Sequence, residues 1–328
     1  MTTGYDIFFF EAFEEEEKKL KEYLPENIKA GFSWKTIQEY SADTPPSRLI
    51  STRTQSEYPL EWVDKLDGIL SRSTGYDHLH AYMKRAGKNI TCGFLPFYCN
   101  RAVAEHALML WMALMRKLPQ QIRQFGDFLR DGLTGKEVMA KTLVVYGVGN
   151  IGSEICKIGQ GLGMNVYGVE IDIKYKGFHY VSKEEAIKIA DILVCSMNLT
   201  SENRDYFTSS YLSKAKKGSI FVNVSRGEIS PSAELLKVAD HLGGIGLDVF
   251  NEEKDLAISL RKRISSGHPE TIAALQLAQL PHVILTPHNA FNSAEGVQRK
   301  SEQSIQQAVH YFEKGVFLWP VPEVKELL

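Results

Sequence analysis

Gly147-Val148-Gly149-Asn150-Ile151-Gly152 follows the apolar run Thr142–Tyr146, and the stretch after it sets Ile151, Ile155, Ile158 and Leu162 on one helical face. A G-x-G-x-x-G string alone is a weak signal, but between a strand and a helix it has a physical meaning. Gly147 permits a tight turn, Gly149 lets backbone approach a pyrophosphate, and Gly152 lets the helix pack close to the strand. The N–H groups and dipole at the helix start then face an anion. A ligand-free turn and an S-adenosylmethionine site are the competing readings, and both are less favoured than a dinucleotide. The next strand ends at Glu170, the first choice for accepting hydrogen bonds from a ribose and repelling a 2′-phosphate, with Asp172 second. NAD is therefore expected over NADP, although Lys174 and Lys176 follow closely and could receive a 2′-phosphate.

Three ionisable residues stand just beyond later strand-like runs: Arg226 after Ile220–Val224, Glu253 after Ile245–Phe250, and His288 after Val283–Pro287. The carboxyl ends of the strands of an open α/β sheet form its ligand crevice, so these side chains belong on the edge that carries the glycine turn. Their types are complementary. A guanidinium offers a planar fork to a carboxylate, and an imidazole with an ordinary pKa of about 6.5 exchanges a proton near neutrality. A carboxylate on the ring's other N–H orients it. Reduction of a 2-oxo acid needs such a set. Singly, each residue also has a structural explanation as a turn cap, an ion pair or a solvated charge.

The elements that must hold these residues recur along the chain. Short apolar runs at Asp6–Phe10, Ile28–Phe32, Arg48–Thr52, Gly68–Ser71 and Asn89–Cys92 alternate with amphipathic stretches at Glu14–Tyr23, Pro59–Leu66 and Leu79–Ala86. After a long helical stretch, Ala102–Leu118, six runs follow at Thr142–Tyr146, Asn165–Val169, Asp191–Ser196, Ser219–Val224, Gly244–Val249 and His282–Thr286. Helices are also expected near Leu256–Ser265 and Pro269–Leu280, inside the long connection Asn251–Pro281, and over Ala294–Lys314. Such alternation predicts an α/β protein of two lobes facing a cleft, the second a six-stranded doubly wound sheet.

Composition narrows the partners. The 328 residues hold 38 Lys+Arg against 40 Asp+Glu, a net charge of −2, which supplies no basic face for nucleic acid. Ala107–Met115, the longest apolar stretch, is too short to cross a bilayer, so no membrane role is expected. Met1–Asp6 lacks the layout of a signal peptide, which predicts a cytoplasmic protein. Cys92, Cys99, Cys156 and Cys195 show no metal-ligand spacing, so no metal is expected and the thiols read as reduced and mostly buried.

The order of motifs resembles the D-isomer-specific 2-hydroxyacid dehydrogenase family. It runs from Ser71-Arg72-Ser73-Thr74-Gly75-Tyr76-Asp77-His78 through Val103-Ala104-Glu105-His106, the glycine turn, Val222–Gly227 and Gly246–Phe250 to Thr286-Pro287-His288-Asn289-Ala290-Phe291. The last motif, with Leu95-Pro96-Phe97-Tyr98, is similar to the D-lactate dehydrogenase branch. The resemblance implies an NAD-dependent enzyme acting on a small 2-oxo or 2-hydroxy acid such as pyruvate. Arg226 would bind the substrate carboxylate, His288 would be the general acid, and Glu253 its partner, with Glu252 the contender one residue away. Thr74 and Gly75 would bind carboxylate through their backbone, and Tyr98 and Phe291 would line the side-chain pocket. Asn150, Ile151, Glu170, Met197, Asn198, Asn203, Val224, Ser225 and Asp248 map onto cofactor contacts; Asn198 stands where the family often has proline. A homodimer is implied, as are a discontinuous flavodoxin-like substrate domain, 1–100 plus 300–328, and a Rossmann NAD-binding domain, 101–299. Phosphite or formate oxidation on the same fold, and a non-enzymatic NAD-sensing corepressor, are the alternatives.

Overall fold

A computed structural model describes residues 4–324; the first three residues of the stretch Met1–Asp6 and the last four of the C-terminal tail lie outside the described residues. The chain divides into two compact units, Met1–Cys99 with Asn292–Leu328, and Asn100–Phe291. The return to the first unit thus comes at Asn292, ahead of the expected residue 300. The helix Ala294–Lys314 belongs to the first unit, where it packs along the helix Glu14–Tyr23.

The first unit is built on a parallel sheet of β1 (Ile7–Phe9), β2 (Ala30–Phe32), β3 (Leu49–Thr52), β4 (Gly68–Ser71) and β5 (Cys92–Gly93), ordered β2-β1-β3-β4-β5. This is the flavodoxin-like order. Its strands are apolar on both faces because helices cover both, and Phe8, Phe10, Ile50, Ile69, Trp62 and Leu79 close the core on one side. The expected helix Pro59–Leu66 is instead a single 3-10 turn, Leu60–Trp62.

The second unit carries β6 (Thr142–Tyr146), β7 (Asn165–Val169), β8 (His179–Tyr180), β9 (Ile192–Cys195), β10 (Ile220–Asn223), β11 (Gly244–Leu247) and β12 (Val283–Leu285). They are all parallel, in the order β12-β11-β10-β9-β6-β7-β8. The sheet therefore has seven strands where six were expected. The extra one, β8, is two residues long and too short to show any alternation in sequence. Strand order reverses between β6 and β9, which makes their carboxyl ends the switch point of a doubly wound sheet. Val144, Leu193, Phe221 and Ile245 are fully buried along these strands, each worth about 1.5–3 kcal/mol relative to exposure.

The long helix Asn100–Met115 packs on β10 and β11 and on the helix Asn150–Gly161. It stops short of the expected Leu118 because Lys117 is left-handed and Pro119 opens a new helix, Leu118–Gln124. The connection after β11 holds two helices, Glu253–Lys262 and Pro269–Leu277. Among the described residues no helix is long and apolar enough to cross a membrane.

Candidate active site

The carboxyl ends of all seven parallel strands lie along one edge of the second unit's sheet. At the switch point, Gly147 (φ 86°) turns the chain out of β6, and its N–H donates to Val169 O at 2.9 Å. A Cβ at Gly147 would lie 2.7 Å from the Met197 backbone, and one at Gly152 would lie 2.0 Å from Gly147 O. Both glycines are thus demanded by contacts inside the protein. Gly149 is different: a Cβ there would meet nothing within 4 Å. This bare side, at the N-cap of the helix Asn150–Gly161, fits the approach of a pyrophosphate.

The surrounding residues brace this turn. Glu170, at the end of β7, accepts from Val148 N–H at 2.8 Å and from Ile171 N–H at 2.8 Å. Asp172, the second choice, is exposed and ion-paired to Lys174 at 3.3 Å. Tyr175, which sequence reasoning missed, donates its hydroxyl to Asn150 Oδ1 at 2.5 Å. Ser225 Oγ donates to Met197 O, and Asn203 Nδ2 donates to Asn198 O at 2.6 Å. Val224 is buried.

Arg226 follows β10 in extended conformation, and its Nη1 donates to Ser225 O at 2.9 Å. The loop is pinned from below by Asn223, fully buried, whose Nδ2 donates to Arg226 O (2.9 Å) and Ser230 Oγ (2.7 Å) while its Oδ1 accepts from Ser225 N–H (2.9 Å). A lone amide ending an apolar strand was the available signal for this residue.

His288 and Glu253 come together. The imidazole Nδ1 is 3.0 Å from each Glu253 oxygen. Glu253 opens the helix Glu253–Lys262, where the dipole favours an anion, while the contender Glu252 caps it from an exposed, left-handed position. Phe291 packs edge-on to the imidazole, with ring centroids 6.3 Å apart.

Asp248, beside the cofactor contact that the resemblance implies, has a structural task. Its carboxylate is 1% exposed and accepts from Thr286 Oγ1 (2.6 Å), Asn289 N–H (2.9 Å) and Ala290 N–H (2.8 Å). It thereby holds the loop on which His288 sits at φ 50°, a conformation few non-glycine residues adopt without such support. With the Thr286 proton committed to Asp248, its oxygen accepts from His106 Nε2 at 3.0 Å. Burial holds the His106 imidazole below the ordinary histidine range against the pull of Asp248.

In the first unit, Thr74 and Gly75 follow β4. Thr74 Oγ1 donates to Leu95 O at 3.1 Å, and Ser73 Oγ donates to Gly75 O at 2.7 Å. Tyr98 is buried, which pushes its phenol well above the usual range, and Tyr98 O accepts from Arg299 Nε at 2.9 Å. Behind this loop Glu16 is ion-paired to Arg72 (2.8 Å) and Lys300 (3.0 Å), all three buried. All four cysteines are free and buried. Among the described residues no group of three or more His, Cys, Asp or Glu side chains gathers to hold a metal ion.

The family model "D-isomer specific 2-hydroxyacid dehydrogenase, NAD binding domain" matches residues 108–290. A 2-hydroxyacid dehydrogenase homolog of Zymomonas mobilis is 32% identical over 253 residues, covering 73% of this chain and 74% of that protein. A D-2-hydroxyacid dehydrogenase (NAD+) of Lacticaseibacillus paracasei is 26% identical over 312 residues, covering 85% and 92%. Among solved structures, the D-lactate dehydrogenase of Aquifex aeolicus, complexed with NAD and lactic acid, superposes with a TM-score of 0.81. It is 24% identical, covering 97% of this chain and all of that one, and so is similar in fold.

Proposed function

Because the chain belongs to the D-isomer-specific 2-hydroxyacid dehydrogenase family, a family of oxidoreductases, and carries its NAD-binding domain, we propose that it interconverts a small 2-oxo acid and the D-2-hydroxy acid. Pyruvate or a slightly larger homologue is the proposed substrate. The observation that carries this reading is the His288–Glu253 pair, an imidazole bound through Nδ1 to a carboxylate on the sheet edge that also bears Arg226 and the glycine turn.

When bound, the nicotinamide supplies a hydride to the carbonyl carbon, or takes it back in reverse. Gly147, Gly149, Asn150, Ile151 and Gly152 would hold the pyrophosphate and Glu170 the adenosine ribose. Met197, Asn198, Asn203, Val224, Ser225 and Asp248 are the remaining proposed contacts. Arg226 binds the substrate carboxylate through two parallel N–H···O bonds and so aims the carbonyl. His288 donates its Nε2 proton to the carbonyl oxygen as charge develops there, and removes it from the hydroxyl in reverse. Glu253 accepts from Nδ1–H, which selects that tautomer and stabilises the imidazolium. Thr74, Gly75, Tyr98 and Phe291 are the proposed substrate-binding residues beyond this set.

A homodimer is part of the same proposal. It is supported by an exposed apolar segment in which Ile122, Phe125 and Phe128 are 67%, 75% and 70% exposed.

The test is NADH oxidation with a panel of 2-oxo acids and chiral analysis of the product. Turnover to the D acid is expected, and Arg226→Gln should raise KM for the acid and lower kcat while NADH affinity holds. An absence of turnover with every acid would overturn the reading.

A further inference from the structure

Two consecutive side chains of the helix Pro269–Leu277 reach toward two different parts of the candidate site. Glu270 Oε2 accepts the N–H of Ser232 at 2.7 Å, where the chain leaving Arg226 enters its next helix, Ser232–Lys237. Thr271, fully buried, donates its hydroxyl to Asp255 Oδ2 at 2.5 Å, and Ser266 Oγ donates to the same oxygen. Asp255 lies in the first turn of the helix that Glu253 opens. The loops bearing Arg226 and Glu253 also touch directly: a Cβ on Gly227 would fall 1.8 Å from Phe250 C and 2.0 Å from Asn251 N.

We propose that Glu270, Thr271 and Asp255 form a strut that holds Arg226 and Glu253 in one fixed register, which makes them positioning residues for the reaction. The inference rests on the roles proposed above for Arg226, Glu253 and His288, and it gives the long connection after β11 a function.

The physical need is local. A helix's first turn lacks intrahelical partners for its N–H groups and frays most easily. Glu253 projects from such a turn, immediately after a left-handed residue (Glu252, φ 56°). Asp255 ties that turn to a buried hydroxyl on the neighbouring helix, so fraying has to break a bond to the core. The Ser266 and Thr271 hydroxyls hold the Asp255 carboxyl below the usual range, with nearby His268 acting in the same direction, so it stays an anionic acceptor. A misplacement of about 1 Å in a catalytic group costs up to about a hundredfold in rate.

The experiment compares Thr271→Val, which keeps shape and removes the donor, with Thr271→Ser, which keeps the donor. Asp255→Ala, at a half-buried position, carries the test if the buried valine variant does not fold. The strut predicts that Thr271→Val and Asp255→Ala lower kcat about tenfold or more, with NADH affinity within about twofold and with Thr271→Ser near wild type. Glu270→Gln should act mainly on KM for the 2-oxo acid, through Arg226. The second readout is the imidazole NMR signals of His288 in histidine-labelled protein at one fixed pH, which needs no turnover. Their positions should move in Thr271→Val and Asp255→Ala toward those of Glu253→Gln, which alters the contact directly. Folded variants whose His288 signals and kcat both match wild type overturn the strut. A wild-type enzyme inert toward every 2-oxo acid overturns the functional reading instead, and the His288 signals then decide the strut alone.

Discussion

The Nδ1 atom of His288 lies 3.0 Å from both carboxylate oxygens of Glu253, across 35 residues of chain. The backbone is left-handed on both sides of this contact, at His288 (φ 50°) and at Glu252 (φ 56°). Strained backbone of this kind persists where surrounding bonds over-determine it. Here Asp248 supplies them on the histidine side and Asp255 on the glutamate side.

Loss of the imidazole should remove the proton donor and little else. His288→Gln is expected to lower kcat by about 10²–10⁴ with NADH affinity nearly intact by calorimetry. Glu253→Gln should also slow the enzyme, while Glu252→Gln, at an exposed cap, should leave it unchanged. Equal effects of the two glutamate changes would contradict the geometry.

The glycines of the turn should separate stability from binding. Gly149→Ala adds a methyl group to open space at an ordinary φ of −82°, so the melting temperature should hold while NADH affinity falls at least about tenfold through steric block of the phosphate approach. Gly152→Ala forces a Cβ onto Gly147 O and should destabilise the second unit by about 1–3 kcal/mol or more. Thermal melts and NADH titrations of both variants check this, and tight NADH binding by Gly149→Ala would refute it.

The buried Glu16–Arg72–Lys300 cluster should give the first unit a two-sided pH dependence. Burial alone would raise the Glu16 carboxyl, but Arg72 and Lys300 prevail and hold it at about 2; burial pushes Lys300 down to about 8 despite Glu16. The Glu16 contribution is complete above its unfolded value of 4.5 and is lost as pH falls toward 2. From pH 8 to 10.5 the unfolded chain keeps the Lys300 proton that the folded one has released, so stability rises with pH. Lys300→Met should abolish that rise and be neutral or stabilising at pH 7, whereas Glu16→Gln, which strands two buried cations, should cost about 3–5 kcal/mol. Melts across pH read both, and a wild-type melt from Glu16→Gln would sink the account.

The exposed segment at Ile122, Phe125 and Phe128 should be covered in solution. Sedimentation should show a dimer for the wild type and a monomer for Phe125→Asp combined with Phe128→Asp. A wild-type monomer would remove the interface.

What was legible in the sequence is what repeats locally. The glycine turn between a strand and a helix, the helices Glu14–Tyr23 and Ala294–Lys314, and Arg226 and His288 just past strand ends all follow from residue periodicity and from the known edge of a parallel sheet. Spacing alone left Glu253 and Glu252 open, because which carboxylate meets the imidazole depends on one left-handed residue and on where a helix begins. The two-residue β8, the turn of Asp248 toward the His288 loop, and the bonds of Asn223, Tyr175 and Thr271 were likewise decided only by the tertiary structure. β8 is too short to show a pattern, and the others are hydrogen bonds of single polar side chains; such pairings carry no period along the chain and exist only once folding has brought their partners within 3 Å or so.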